Sequence, residues 1–486
     1  MKLVISSDSI SKNSTETVLL PIFEGFELPE CMRRTASLEK LLERVGQSGF
    51  KACCGKTLRV LENTRQTLLI GLGKAEDYDE DAFTKASCAA FKAAGDAELA
   101  LNVEDWAVEN RSAEWTILHL AIAALTVKEP TKEPIESKDN ACCVMHTRLA
   151  AQDAMSALEL GQAIGNAINR AKFLGNLAPN ICTPQYLAKE AQKLRKLKNV
   201  TVKIHDEKAL QKLGAGGILA VSRGAANPAR LIELHYKGAD KSVSPICLVG
   251  KGITFDAGGL CLKPGRRMNE MKYDMAGAAA VLSVFETAAA MRLPLNLTVI
   301  VAASENMPDG NAYRPADVIT MLSGDTVEIT NTDAEGRLLL ADALTYTAHF
   351  EPACVIDVAT LTGAVQVALG DYHHGLFAND PILRQTLEEA ADVSQDALWA
   401  LPFDTPYYRS MLKSNVADTQ NTGPAGLGGA SVAATFLARF ADRDTPWAHL
   451  DVAATAWKSG QQPLSTGRPV ALLLAWLHQQ SVEQTL

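Results

Sequence analysis

The run Asn331-Thr332-Asp333-Ala334-Glu335-Gly336-Arg337-Leu338 places two carboxylates, a guanidinium and a glycine in one short segment. Residues 326–330 before it read as a buried strand, and residues 338–349 after it read as a helix. An acidic loop at a strand-to-helix junction is where an α/β protein holds hard cations or substrate. Asp333 and Glu335 are two apart, so on extended backbone they point the same way and can grip neighbouring ions. Acids at a helix start also favour the helix dipole with no ligand at all. A second cluster separates the two readings.

That cluster lies about 70 residues upstream: Lys251-Gly252-Ile253-Thr254-Phe255-Asp256-Ala257-Gly258-Gly259, then Lys263, then Met271-Lys272-Tyr273-Asp274. The apolar run 246–249 reads as a central parallel strand. Residues 275–291 form an Ala-rich helical stretch opening directly after Asp274. Asp256, Asp274, Asp333 and Glu335 supply four carboxylates, enough to neutralise two divalent cations. Lys251 and Lys263 sit among them. A lysine ligates a metal only as the neutral amine, and adjacent dications depress its pKa. Ordinary ion pairing with these acids is the plainer alternative for both lysines.

These residues resemble the leucine (cytosol) aminopeptidases, two-metal exopeptidases whose hallmark is the stretch Asn331 to Leu338. The likeness extends to Val249-Gly250-Lys251-Gly252, Phe255-Asp256, Met271-Lys272-Tyr273-Asp274-Met275, Gly277-Ala278-Ala279 and Ala312-Tyr313-Arg314-Pro315. It also takes in Ala359-Thr360-Leu361-Thr362-Gly363-Ala364 and Trp447-Ala448-His449-Leu450-Asp451. It covers about 300 C-terminal residues with the motifs in order. The resemblance implies Asp256 and Glu335 as bridging carboxylates, with Asp333 completing one metal site and Lys251 and Asp274 the other. Zinc, manganese or magnesium fits such ligands. It further implies that Lys263 polarises the scissile carbonyl and that Arg337 holds a bicarbonate acting as general base. Thr360, Leu361 and Gly363 would line the substrate cleft, and Met271 and Ala453 the apolar pocket for the N-terminal residue. Lys251, Asp256, Lys263, Asp274 and Asp333 would meet substrate as well as metal.

The activity implied is removal of an N-terminal leucine or other apolar residue from short peptides, by a homohexamer enclosing its active sites. Departures are mild: Ala257 stands where serine is common, Ala316 and Ala454 where glycine is common, and Arg266-Arg267 adds positive charge after Lys263. None removes a proposed metal ligand. A competing reading is a DNA-binding architectural or regulatory protein of the same family.

The elements that must position these residues alternate along the chain. Residues 1–150 mix short strands (18–20, 67–70) with helical segments such as 81–94 and read as a smaller N-terminal α/β domain. Residues 151–184 read as a linker helix and boundary loop. Residues 185–486 read as the catalytic domain, with strand candidates at 297–302, 327–330, 355–358 and 449–452. This pattern implies a mixed sheet sandwiched by helices, with ligands at the strands' C-terminal ends.

Several chemistries drop out. Gly71-Leu72-Gly73 lacks the third glycine of a dinucleotide fingerprint, and Gly55-Lys56-Thr57 follows Gly49 at the wrong spacing for a phosphate loop. No His-Glu-x-x-His or Gly-x-Ser-x-Gly run occurs. His373-His374 reads as a surface loop and His449 as a structural residue opening a strand. Of the net charge of −9, residues 1–160 hold −7, with 18 Lys+Arg against 25 Asp+Glu, a poor match to nucleic acid. Ten scattered cysteines, no signal-like N-terminal apolar region and no uninterrupted bilayer-length apolar run point to a cytoplasmic enzyme off the membrane.

Overall fold

The apolar runs at 18–20 and 67–70 lie on the strands Thr17–Ile22 and Arg65–Gly71, which pair in parallel. The computed structural model describes residues 1–8, 10, 17–30, 32, 35–62, 65–128 and 141–483. It divides into two units, Met1–Asn169 and Arg170–Leu486. The first holds a six-stranded sheet in the order Lys2–Ser6, Cys142–His146, Leu99–Asn102, Thr17–Ile22, Arg65–Gly71, Thr57–Glu62. All its pairings are parallel except the last, an antiparallel hairpin. The expected helix at 81–94 is Glu80–Ala94, whose Asp79 side chain caps the Ala82 amide.

The second unit is built on an eight-stranded sheet. Its order is Leu398–Ala400, His374–Ala378, Trp447–Asp451, Cys354–Ala359, Ile246–Asp256, Asn296–Asn306, Arg230–Lys237, Val200–His205. The four central strands, from Trp447–Asp451 to Asn296–Asn306, run parallel. Antiparallel pairings join Arg230–Lys237, Val200–His205 and His374–Ala378 to them, so the sheet is mixed as expected. Successive strand residues face opposite sides. A Cβ on Gly250 would meet Val281 and Ala278 of the helix Ala276–Met291, whereas Lys251 approaches Gly336, which opens the helix Gly336–Thr347. Helices therefore cover both faces. Burial on both sides explains why the central strands read as continuous apolar runs rather than alternations.

Three sequence expectations need correction. The strand expected at 326–330 is only Thr326–Glu328 and belongs to a separate three-stranded sheet, because Ile329 turns to bond Ala316 and Asp317 instead. His374 is not in a surface loop: it is fully buried at the start of His374–Ala378, bonded to Asp396 and Thr455. His449 is buried in the middle of Trp447–Asp451 rather than opening it, paired with Asp357 at 2.5 Å on the neighbouring strand. One segment, Met268–Met291, is long and apolar enough to cross a bilayer by composition, but 78% of its most apolar window is buried inside the fold.

Candidate metal centre and substrate cleft

Four neighbouring parallel strands end at one edge of the sheet, and the polar groups collect beyond their C-terminal ends. Lys251 projects from within Ile246–Asp256 and Asp256 ends that strand. Asn306 ends Asn296–Asn306, Thr360 follows Cys354–Ala359, and Asp451 ends Trp447–Asp451. Asp274 sits between the 3-10 turn Met268–Tyr273 and the helix Ala276–Met291. Asp333 and Glu335 occupy the turn before Gly336–Thr347.

The turn is not extended. Glu335 already has helical φ and ψ of −75° and −38°, and the Asp333 amide donates to Asn331 Oδ1 at 2.9 Å. Curling the chain, not a β-period, brings the two carboxylates to one side. After Asp256 the chain reverses through Gly258 and Gly259, at φ of +87° and +66°. A Cβ on Gly258 would stand 2.7 Å from Asp333 Oδ1 and 2.5 Å from the Cys261 carbonyl, so both conformation and space demand glycine there.

Carboxylate oxygens of Asp256, Asp333 and Glu335 lie within 4.8 Å of one another. Lys263 Nζ sits 2.7 Å from Asp256 and 2.6 Å from Asp333. Lys251 Nζ sits 2.8 Å from Asp274 and 3.0 Å from Glu335, and donates to the Thr360 carbonyl at 2.9 Å. Thr360 Oγ1 donates to Asp274 Oδ1 at 2.7 Å. Asp256, Glu335 and Lys251 are almost wholly buried, while Asp333 and Lys263 are partly exposed. The acids thus form the floor of the site, with access from the Lys263 side.

Crowding shows in the ionisation. Burial and the neighbouring Glu335 charge push Asp256 up to about 6. Burial lifts Asp274 well above the usual carboxylate range. Burial works against charge on Lys251 and Lys263, yet the surrounding acids overrule it and raise both. Oxygen-rich, repelling carboxylates that already draw in two ammonium groups fit divalent cations by charge and by donor chemistry.

Arg337 is buried beside this floor, and burial lowers it to about 10, so it stays cationic at neutral pH. One nitrogen donates to the Asn421 carbonyl at 2.6 Å, while its Nε has no partner among the described residues. Leu361 and Ala453 are joined through Asp451, whose Oδ1 accepts from both amides at 3.1 and 3.2 Å. Gly363 is exposed with open space around it, and Met271 is half-buried in the turn before Asp274.

Sequence reasoning missed four contributors. Asn306 donates to Asp256 at 2.8 Å and to the Thr332 carbonyl at 3.0 Å. Tyr313 donates to the Thr332 carbonyl at 2.7 Å. Asp451 and Asn421 brace the loops around the site. Only Tyr313 and Asp451 lay in stretches that carried the family likeness.

Residues 169–474 match the catalytic-domain model of the cytosol aminopeptidase family, and residues 20–127 match that family's N-terminal domain. A probable cytosol aminopeptidase of Nitrosomonas eutropha is 42% identical over 495 residues, covering 98% of this chain and 99% of that protein. Among solved structures, a leucine aminopeptidase mutant from tomato superposes with a TM-score of 0.85 at 30% identity, covering 99% of this chain and 96% of that one. The bottromycin maturation enzyme BotP in complex with Mn superposes with a TM-score of 0.82 at 32% identity, covering 96% and 100%.

Proposed function

The chain belongs to the cytosol aminopeptidase family of metal-dependent aminopeptidases, and from that premise we propose that it releases leucine or another apolar N-terminal residue from short peptides using two divalent ions. The observation that carries the reading is the convergence of Asp256, Asp333 and Glu335 within 4.8 Å, interleaved with Lys251 and Lys263. Asp256 and Glu335 would be shared between the ions, with Asp333 completing one site and Lys251 and Asp274 the other. Manganese has support from the named BotP complex, and zinc and magnesium suit the same donors. When bound, the ions supply Lewis acidity toward the scissile carbonyl and a water acidic enough to attack it.

The chain's own residues do the rest. Lys263, on the accessible side, donates to the oxyanion that develops on the carbonyl. Lys251 owes its raised pKa to Asp274, Glu335 and Asp256. With those acids engaged by cations, Lys251 would lose that support and could offer a neutral amine as a ligand. Arg337 keeps its charge and has an Nε with no partner among the described residues, which suits it to hold a bicarbonate, an anion that would supply a general base there. Thr360, Leu361 and Gly363 line the cleft, and Met271 and Ala453 the apolar pocket. Assembly as a homohexamer belongs to the same proposal, tested by sedimentation near six times 52.1 kDa. The family match lends no support to the nucleic-acid alternative.

The test is hydrolysis of leucine p-nitroanilide before and after chelation, with manganese, zinc or magnesium then restored. Activity is expected to vanish and return. Asp333→Asn and Glu335→Gln should each lower turnover by about 100-fold or more while the protein stays folded. Arg337→Ala should lower it without releasing metal, and bicarbonate should stimulate the parent enzyme in carbonate-depleted buffer. Chelator-resistant activity, or either acid variant with parental turnover and metal content, refutes the assignment.

A further inference from the structure

The turn carrying Asp333 and Glu335 lies between a strand ending at Glu328 and a helix starting at Gly336, so neither element satisfies its backbone. Asn421, fully buried and about 90 residues away in sequence, satisfies a large part of it, beside Asn306 and Tyr313 at the Thr332 carbonyl. The strand Thr419–Gln420 pairs in parallel with Thr326–Glu328, and the Asn421 amide continues that pairing to the Glu328 carbonyl at 3.0 Å. Its side chain then lies along the turn. Oδ1 accepts from the Thr330 amide at 2.8 Å, from Thr330 Oγ1 at 3.0 Å and from the Asn331 amide at 3.3 Å. Nδ2 donates to the Asn331 carbonyl at 2.7 Å and the Ala334 carbonyl at 3.5 Å. The Asn421 carbonyl accepts from Arg337 at 2.6 Å, the one hydrogen bond aiming that guanidinium among the described residues.

We propose that Asn421 is a positioning residue for hydrolysis, its side-chain amide fixing the turn that presents Asp333 and Glu335 and its carbonyl orienting Arg337. The physical case is that an amide is the one side-chain group offering acceptor and donor side by side, matching an N–H and a C=O of the same short turn. Without Asn421 the 331–335 segment keeps the braces at the Thr332 carbonyl and the Asp333 amide, too few to hold two carboxylates to the fraction of an ångström that ligation demands. The single residue thus couples the acid-bearing turn to the anion-holding arginine. This inference rests on the roles given above to Asp333, Glu335 and Arg337.

The experiment uses the full-length enzyme with Asn421→Ala, Arg337→Ala and the double variant. Circular dichroism and thermal melting check folding. For folded Asn421→Ala, kcat should fall by about 10- to 100-fold, the range for removing a group that orients ligands. KM should change far less, because the substrate-lining loops are held by Asp451 instead. The chelator concentration that strips half the bound manganese should drop by about tenfold, a readout independent of turnover. The double variant should lose less than the product of the two single effects, as coupled residues do. If Asn421→Ala does not fold, Asn421→Asp keeps the shape and the accepting oxygen while removing the donor, and the same losses are expected of it. A folded variant with parental kcat and manganese retention, or multiplicative effects in the double variant, overturns the proposal. Should Arg337→Ala itself keep parental turnover, the functional reading fails instead, and the two failures are told apart.

Discussion

Gly336→Ala should silence the enzyme while barely disturbing its fold. Gly336 opens the helix Gly336–Thr347, where alanine is the better helix former by up to about 1 kcal/mol. An alanine Cβ would, however, stand 2.4 Å from Lys251 Cε, 2.6 Å from Nζ and 2.9 Å from Cδ. Ordinary carbon contacts are about 3.5–4 Å, so the end of the lysine must retreat by about 1 Å or more. It has nowhere to go, being 2% exposed and bonded to Asp274, Glu335 and the Thr360 carbonyl. Overpacking of this kind costs about 1–3 kcal/mol, which the helix gain partly offsets. The net loss of about 0–2 kcal/mol moves the melting temperature by only a few degrees, at about 2–4 °C per kcal/mol for large domains. A misplacement of 1 Å at a reacting centre costs about 100-fold in rate. The assay is kcat/KM on leucine p-nitroanilide beside a thermal melt, with Gly310→Ala as control because a Cβ there meets nothing within 4 Å. A folded Gly336→Ala enzyme within a few-fold of parental kcat/KM would show that Lys251 need not stand where the structure puts it.

Lys263→Met should lower turnover by about 100- to 1,000-fold with metal content intact, since its proposed work is on the oxyanion. Metal analysis of the purified variant decides this, because loss of an ion along with the lysine would make Lys263 a holder of metal instead. Away from the site, burial opposes charge on Glu233, but His205, His235 and Tyr346, each at 2.8 Å, hold its carboxyl well below the usual 4.5. A depressed carboxylate pKa stabilises the fold above the unfolded value, and the contribution fades as pH falls below about 4.5. Glu233→Gln should therefore cost about 2 kcal/mol in urea unfolding at pH 7, with a gap that narrows toward pH 3; a gap constant with pH would contradict this.

The acids proposed to hold metal were legible because each sits within a few residues of a strand or helix end, inside a local pattern that can be read without knowing what lies opposite. The central sheet was legible for the same reason, its doubly buried strands standing out as unbroken apolar runs. What escaped depends on register. Asp451 braces the cleft because it lies directly across from Ala359, the residue before Thr360. Asn306 reaches Asp256 because those two strand ends are paired, with a register irregularity just before them. No sequence pattern marks Asn421, and only the pairing of Thr419–Gln420 with Thr326–Glu328 brings it to the turn. His374 reads as a surface-loop residue because Asp396 and Thr455, which hold it inside, are 22 and 81 residues away.

The inventory of four acids and two lysines could be counted in the sequence, but their partition could not. Lys263 stands between Asp256 and Asp333, and Lys251 between Asp274 and Glu335. Each ammonium therefore bridges one acid from the 331–335 turn and one from outside it, Asp256 at the end of its strand or Asp274 before the helix Ala276–Met291. Both lysines depress Glu335, which stays below its usual value despite complete burial, while Asp256 beside it is driven up. Repulsion between Asp256 and Glu335 is mutual, and both draw their favourable charge from Lys251 and Lys263. A site so divided resists closing on itself: moving either lysine leaves two neighbouring carboxylates facing each other, a repulsion that another cation or a proton relieves.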